Sequence, residues 1–231
     1  IFPVEDRPLV YDVFLRYLDG IKDGAFYDLN LVAHASLPLC EPTFDLVVVD
    51  EVQDLTNVQL YLILKSLRLW NNFILCGDSN QIVHPNFFSW ANVKTLFYEQ
   101  RASETTSEII RILHTNYRNS PQITDLANRI LLIKNARFGS IDKESNYLVR
   151  CNSSSQGCAE LLEDDDKIKR ELNDKTKRST RHAVMVMRAE DKELARKWFQ
   201  TPLLFSIQEA KGLEYENIVL LNFISDNQDE F

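Results

Sequence analysis

The stretch 44–56, FDLVVVDEVQDLT, constrains the fold most strongly. Leu46, Val47, Val48 and Val49 form a short apolar run without alternation, which stops at Asp50-Glu51, with Gln53-Asp54 just beyond. Such a run reads as a strand buried on both faces, as parallel sheets require. Ligands of those sheets bind outside the carboxyl ends of the strands. Two carboxylates at such an end are costly to bury without a cation or donor, and a Mg²⁺–phosphate site supplies that pairing. A solvated acidic turn gives the same dipeptide, so the dipeptide alone leaves both readings open.

Two further strand tips have the same form. Phe73-Ile74-Leu75-Cys76 reads as a second buried strand and ends in Gly77-Asp78-Ser79-Asn80-Gln81. Gly77 would let the backbone approach a ligand closely, while Asp78 and Gln81 also suit a plain turn. A third strand is expected over 109–113, ending in His114-Thr115-Asn116-Tyr117-Arg118-Asn119-Ser120. Ser120 caps a helix with Pro121 in its first turn, running to about residue 134. An arginine between a strand end and a helix start reaches a phosphate as a forked donor, or else forms a surface ion pair. The loop with His84, Phe87, Phe88 and Trp90 has two readings. Core packing is the default for such rings; a stacking platform for bases is the functional one, and Pro85-Asn86 point to a surface loop.

The rest of the chain supplies the frame. Residues 1–30 carry Val10, Phe14, Leu15 and Leu18 at helical spacing, and Asp28-Leu29-Asn30 opens a short helix or loop. Thr56 or Asn57 caps a helix over about 58–70, apolar nearly all round and so packed between layers. Residues 91–99 read as helix, 135–157 as irregular, and 158–177 as a charged helix with a solvated face. Strands at 182–187, 203–207 and 218–221 follow, with a helix at 192–200 between the first two. Before the last strand stands Gln208-Glu209-Ala210-Lys211-Gly212-Leu213-Glu214, whose later residues also suit a helix C-cap. The alternation makes this an α/β chain of two layers with mostly parallel sheets, each layer incomplete. The boundary is placed near 114–120, giving domains 1–114 and 115–231.

Composition narrows the setting. With 231 residues, 45% hydrophobic and 26% charged, the chain is globular and large enough for one large or two small domains. No run approaches the roughly 18 apolar residues of a membrane span, and IFPVEDRPLVYD is no secretory signal. Cys40, Cys76, Cys151 and Cys158 form neither a C-x-x-C pair nor a Cys/His cluster, so reduced thiols in an intracellular protein are expected, without zinc. No basic run distinguishes nucleus from cytoplasm. The net charge of −8 argues against a bulk electrostatic grip on nucleic acid and leaves room for a local basic groove. The chain starts without Met, and a fragment of a longer protein is expected.

Four polar tips beside apolar strands, DEVQD, GDSNQ, TNYRNS and EAKGLE, are the recurring parts of a nucleoside-triphosphate hydrolysis site if they converge. In this order they resemble the UvrD/PcrA/Rep group of superfamily 1 helicases over roughly residues 28–223: DEVQD its motif II, LCGDSNQ its motif III, TNYRNS its motif IV and SIQEAKGLEYENIVLLN its motif V. The resemblance implies two RecA-like layers, ATP and Mg²⁺ as cofactors, and single-stranded nucleic acid as partner, DNA favoured over RNA. It implies that Asp50 holds Mg²⁺ together with Glu51, and that Glu51 polarises the attacking water as general base. Gln81 would touch the γ-phosphate, Tyr117 stack on adenine and Arg118 reach the γ-phosphate. Glu214 would lie near the ribose, and Lys211 and Gly212 shape a turn. Asp54 would orient its neighbours. Phe87, Phe88 or Trp90 would replace the base-stacking aromatic.

The chain also departs from that pattern. IVHPNFFSWANV stands where the group continues with an aromatic and Arg-Gly-Ala, and Gln208 stands where a His is frequent. No G-x-x-x-x-G-K-[ST] loop occurs, so this stretch alone is expected to hydrolyse no ATP. The motif order also resembles helicase-like regions embedded in large multi-repeat eukaryotic proteins. That leaves a second reading, a nucleotide-gated scaffold or interaction module with a helicase-like core that does not unwind.

Overall fold

A computed structural model of the chain describes residues 3–83, 88–98, 110–140 and 143–224. It is mixed α/β, and every strand pairing among the described residues is parallel. The chain divides into two compact units: residues 1–117 with 127–152, and residues 118–126 with 153–231.

The first unit opens with α1 (Arg7–Gly24) and α2 (Leu29–Ser36). Asp28 starts α2 because its carboxylate accepts the Leu31 N–H at 2.8 Å. Then come β1 (Val47–Val49), α3 (Asn57–Lys65) and β2 (Phe73–Leu75), a strand–helix–strand crossover. β1 and β2 pair in register from Val47 against Phe73 to Val49 against Leu75. At the head of α3, the Thr56 N–H donates to Gln59 Oε1 at 2.9 Å, and the Thr56 hydroxyl donates to Asn30 Oδ1 at 2.6 Å. Leu60 and Leu64 of α3 are buried with Val52, Leu67, Phe88 and Val93, and Val47, Val49, Phe73 and Leu75 pack onto that cluster. Each fully buried leucine contributes about 1.5–3 kcal/mol of transfer free energy. Later elements of this unit are α4 (Trp90–Tyr98), β3 (Thr115–Asn116), α5 (Pro121–Phe138), shared with the second unit, and β4 (Arg150–Cys151). β3 pairs with β4, and the Asn128 amide of α5 fastens the strand approach by exchanging two hydrogen bonds with the Val149 backbone.

The second unit is built on β5 (His182–Val186), with β6 (Leu204–Ser206) on one side and β7 (Asn217–Leu220) on the other. α6 (Asp166–Thr176) precedes the sheet, α7 (Asp191–Ala195) lies between β5 and β6, and α8 (Ile207–Ala210) follows β6 directly. Val184, Val186, Ala195, Phe199 and Leu204 form its core. Ala183 and Val184 are adjacent and both fully buried, so β5 is covered on both faces.

Several expectations are corrected. β1 is not buried on both faces: Val48 is 62% exposed, and Ile74 beside it in β2 is 52% exposed. Only the face toward α3 is packed. The strand expected at 109–113 is absent from 110–113. The ladder starts at Thr115 instead, where Arg150 provides a partner; residue 109 lies outside the described residues. Residues 150–151, read as irregular, form β4. The helix expected from 158 starts at Asp166, because the Asp165 carboxylate accepts the Lys167 N–H at 2.7 Å and fixes the first turn there. Its face is only partly solvated, since Leu172 packs on the second core.

Candidate functional site

The carboxyl ends of β1 and β2 lie side by side, and the residues after them are tied together. The Cys76 N–H donates to the Val49 carbonyl at 2.8 Å and the Val52 N–H to the Cys76 carbonyl at 2.9 Å. Asp50 and Glu51 follow β1 directly and are exposed. Asp50 Oδ1 accepts the Glu51 N–H at 2.9 Å. Glu51 takes φ +52° and ψ +40°, a left-handed conformation that costs a non-glycine residue about 1 kcal/mol or more. The turn is closed by the Asp54 N–H donating to the Glu51 carbonyl at 2.9 Å. Asp54 itself is exposed.

Gln53 is fully buried between the two tips. Its Nε2 donates to Glu51 Oε2, and its Oε1 accepts the Asp78 N–H at 3.0 Å. Gly77 makes this possible. A Cβ there would lie 2.5 Å from Gln53 Oε1 and 2.8 Å from Val52 Cγ1. The close approach expected at Gly77 is therefore made to Gln53. Asp78 then folds its own loop: Oδ1 accepts the Asn80 N–H and Oδ2 accepts Gln81 Nε2, both at 2.9 Å. Gln81 is exposed, while Ser79 is buried against Ser145. Asn80 donates to the Ser145 carbonyl at 3.0 Å and accepts from Lys134 Nζ at 2.6 Å.

Phe88 is 3% exposed and stacks edge-on against Trp90, 5.3 Å between ring centres, inside the first core. A ring so buried offers no open face to a base, so the expected platform does not describe Phe88. Trp90 is half-buried on the same cluster, and Phe87 lies outside the described residues.

In the second unit Arg118 and Glu214 meet, with Arg118 Nη2 2.8 Å from Glu214 Oε1. Both side chains are exposed. Gly212 has φ +77° with open space where a Cβ would stand, so its glycine serves the backbone turn after α8. That helix is held by a reciprocal cap: the Ser206 N–H donates to Glu209 Oε2 at 2.9 Å, and the Glu209 N–H to Ser206 Oγ at 3.4 Å. Lys192 Nζ reaches both Glu209 oxygens at 2.8 Å and, with the Ser206 N–H, holds that carboxyl below the ordinary carboxylate range. Tyr117, in the first unit, is 69% exposed.

Sequence reasoning reached the tips and missed Gln53 as their link. The sequence around it, Val52-Gln53-Asp54-Leu55, gives no sign of that link, which appears only where the loop after β2 comes within hydrogen-bond reach. Among the described residues no group of three or more His, Cys, Asp or Glu converges as a metal cage, and no helix is long and apolar enough to cross a membrane.

No family model matches the chain. It is 32% identical over 95 residues to a probable DNA helicase II homolog of Mycoplasma capricolum, covering 41% of this chain and 12% of that protein. It is 23% identical over 250 residues to TPR and ankyrin repeat-containing protein 1 of Homo sapiens, covering 97% of this chain and 8% of that protein. The chain thus spans a small part of the curated relatives that it matches.

Proposed function

We propose that these residues carry part of the ATP site of a UvrD-like superfamily 1 nucleic-acid translocase with RecA-like layers, each incomplete here. The observation that carries the reading is the hydrogen-bonded junction of Asp50-Glu51 with Asp78–Gln81 at adjoining carboxyl ends of a parallel pair. The 32% identity to a helicase II homolog over 95 residues supports it.

The donor set fits a magnesium nucleotide. Mg²⁺ keeps most of its waters and takes one or two carboxylates plus phosphate oxygens. Asp50 spends one oxygen on the Glu51 N–H and, being exposed, leaves the other for a water-mediated or direct ligand bond. The ion would neutralise charge developing on the transferred phosphoryl group. Glu51, beside Asp50 and steadied by Gln53, is assigned to the attacking water. Gln81 is assigned to the γ-phosphate, Tyr117 to the adenine ring, Arg118 to the γ-phosphate, Glu214 to the ribose and Gly212 to the turn presenting it. Lys211 is assigned to that same turn and Asp54 to orienting its neighbours. The partner strand is assigned as single-stranded DNA, with Trp90 the remaining described aromatic at the expected place. The sequence holds no phosphate-cradling loop, so that element is assigned to residues outside these 231.

The test is ATP hydrolysis by a longer chain that includes such a loop, with and without single-stranded DNA or RNA. Stimulation by nucleic acid supports the translocase. A second reading is a nucleotide-gated scaffold without unwinding, with which the 23% identity over 97% of this chain to a TPR and ankyrin repeat-containing protein is compatible. Hydrolysis or nucleotide binding indifferent to nucleic acid supports that one.

A further inference from the structure

We propose that Gln53 is a positioning residue that makes the orientation of Glu51 conditional on the conformation of the loop from Asp78 to Gln81. The inference rests on the ATP-site reading and deepens it. A chain of three hydrogen bonds joins the two assigned groups: Gln81 Nε2 to Asp78 Oδ2, Asp78 N–H to Gln53 Oε1, and Gln53 Nε2 to Glu51 Oε2. Each link uses a directional donor and acceptor, so moving one member re-aims the next.

Burial holds the middle member of this relay, Gln53, in place. Gln53 is fully enclosed, and a buried primary amide that loses a partner leaves a polar group unpaired. Its side chain therefore tracks whatever holds its two ends. One end is the Asp78 backbone, at the start of a loop whose last residue is Gln81. The other end is Glu51, an exposed carboxylate on a left-handed backbone. Without Gln53 that carboxylate would sample several rotamers, because an exposed glutamate has little else to fix it.

Gly77 supplies independent support. It permits the amide to lie against the backbone of the second tip, where any Cβ would strike Gln53 Oε1 and Val52. Gly77 is not in a left-handed conformation, so its lack of a side chain serves contact and not backbone freedom. Contact between Gln81 and a phosphate competes with the Gln81–Asp78 hydrogen bond. Releasing Asp78 Oδ2 lets the loop shift, and the shift reaches Glu51 through Gln53. The water-activating group is then aimed when the terminal phosphate is in place.

The experiment compares Gln53→Leu, Gly77→Ala and Glu51→Gln with the parent, in a longer chain carrying the phosphate loop. Turnover is measured per nucleotide-binding site, alongside KM and the affinity for a fluorescent ATP analogue. Gln53→Leu keeps the volume near that of the amide and removes its hydrogen bonds to Glu51 and to the Asp78 N–H. Expected is a fall in kcat per site of about 10- to 100-fold, as a misaimed group costs, with KM and analogue affinity changed less than about threefold. Gly77→Ala, which displaces the amide from the other side, is expected to give the same split. A merely structural role would lower the fraction of binding-competent sites and leave kcat per site unchanged, and that result overturns the inference. If Glu51→Gln leaves turnover intact, or no chain binds the analogue, the ATP-site reading fails and this one with it. If Glu51→Gln abolishes turnover while Gln53→Leu and Gly77→Ala turn over normally, this inference alone fails.

Discussion

Arg118 Nη2 stands 2.8 Å from Glu214 Oε1, joining two residues nearly a hundred positions apart in sequence within one compact unit. Their side chains are 72% and 58% exposed, so water screens the pair and folding gains little from it. Arg118→Ala is expected to change unfolding free energy by less than about 1 kcal/mol in urea titration. In a longer chain with a phosphate loop, the same substitution is expected to lower ATP turnover by about 10³-fold or more, as loss of an arginine finger does. A large stability loss would make the pair structural.

Phe88 separates core from interface. Its ring is buried with Leu60, Leu64 and Val93, and Phe88→Ala is expected to cost about 3–5 kcal/mol in chemical denaturation. Trp90→Ala, on a half-buried ring, is expected to cost less and to weaken single-strand binding by about 1–3 kcal/mol if a base stacks there.

Two glycines give opposite expectations. At Gly212 the added methyl meets open space, but φ is +77°, so Gly212→Ala carries only a backbone penalty of about 1 kcal/mol. At Gly77 the methyl meets Gln53 and Val52, and the neighbours must move. Thermal unfolding of the two variants should therefore rank Gly77→Ala well below Gly212→Ala.

Acid sensitivity follows from three carboxylates. Glu144 is held below its ordinary value chiefly by hydrogen bonding to the Lys94 ammonium, Asp28 chiefly by the Leu31 N–H, and Glu209 chiefly by Lys192. A depressed folded-state pKa adds stability that is present above the unfolded value and is lost as pH falls through the folded one. The thermal midpoint is expected to fall steadily from about pH 5 toward pH 3. Glu144→Gln is expected to start lower near neutrality and to fall less over the same range. Parallel curves for parent and variant would show that the Lys94–Glu144 pair contributes nothing to the acid response.

How much was readable in advance depends on what fixes each element. β1, β2 and, after His182, β5 are uninterrupted apolar runs, and their own residues announce them. β3 and β4 are two residues each and exist because Thr115-Asn116 and Arg150-Cys151 find one another; a two-residue ladder has no periodicity to read. The start of α6 was blurred by the acidic run, in which any of several carboxylates could cap; Asp165 does so. The burial of Val48 was overestimated because an apolar strand says nothing of what covers each face. Among site residues, the tips were visible as polar residues after apolar strands. Gln53 was not, because its role depends on Asp78, 25 residues later, coming within hydrogen-bond reach.

Glu51 is where these lines meet, so one rate measurement bears on them most directly. A longer chain containing these residues and a phosphate-binding loop should hydrolyse ATP, faster with single-stranded nucleic acid present. Glu51→Gln should abolish turnover while nucleotide still binds, and the 231 residues alone should show none. Steady hydrolysis by the longer chain that survives Glu51→Gln would contradict the assignment.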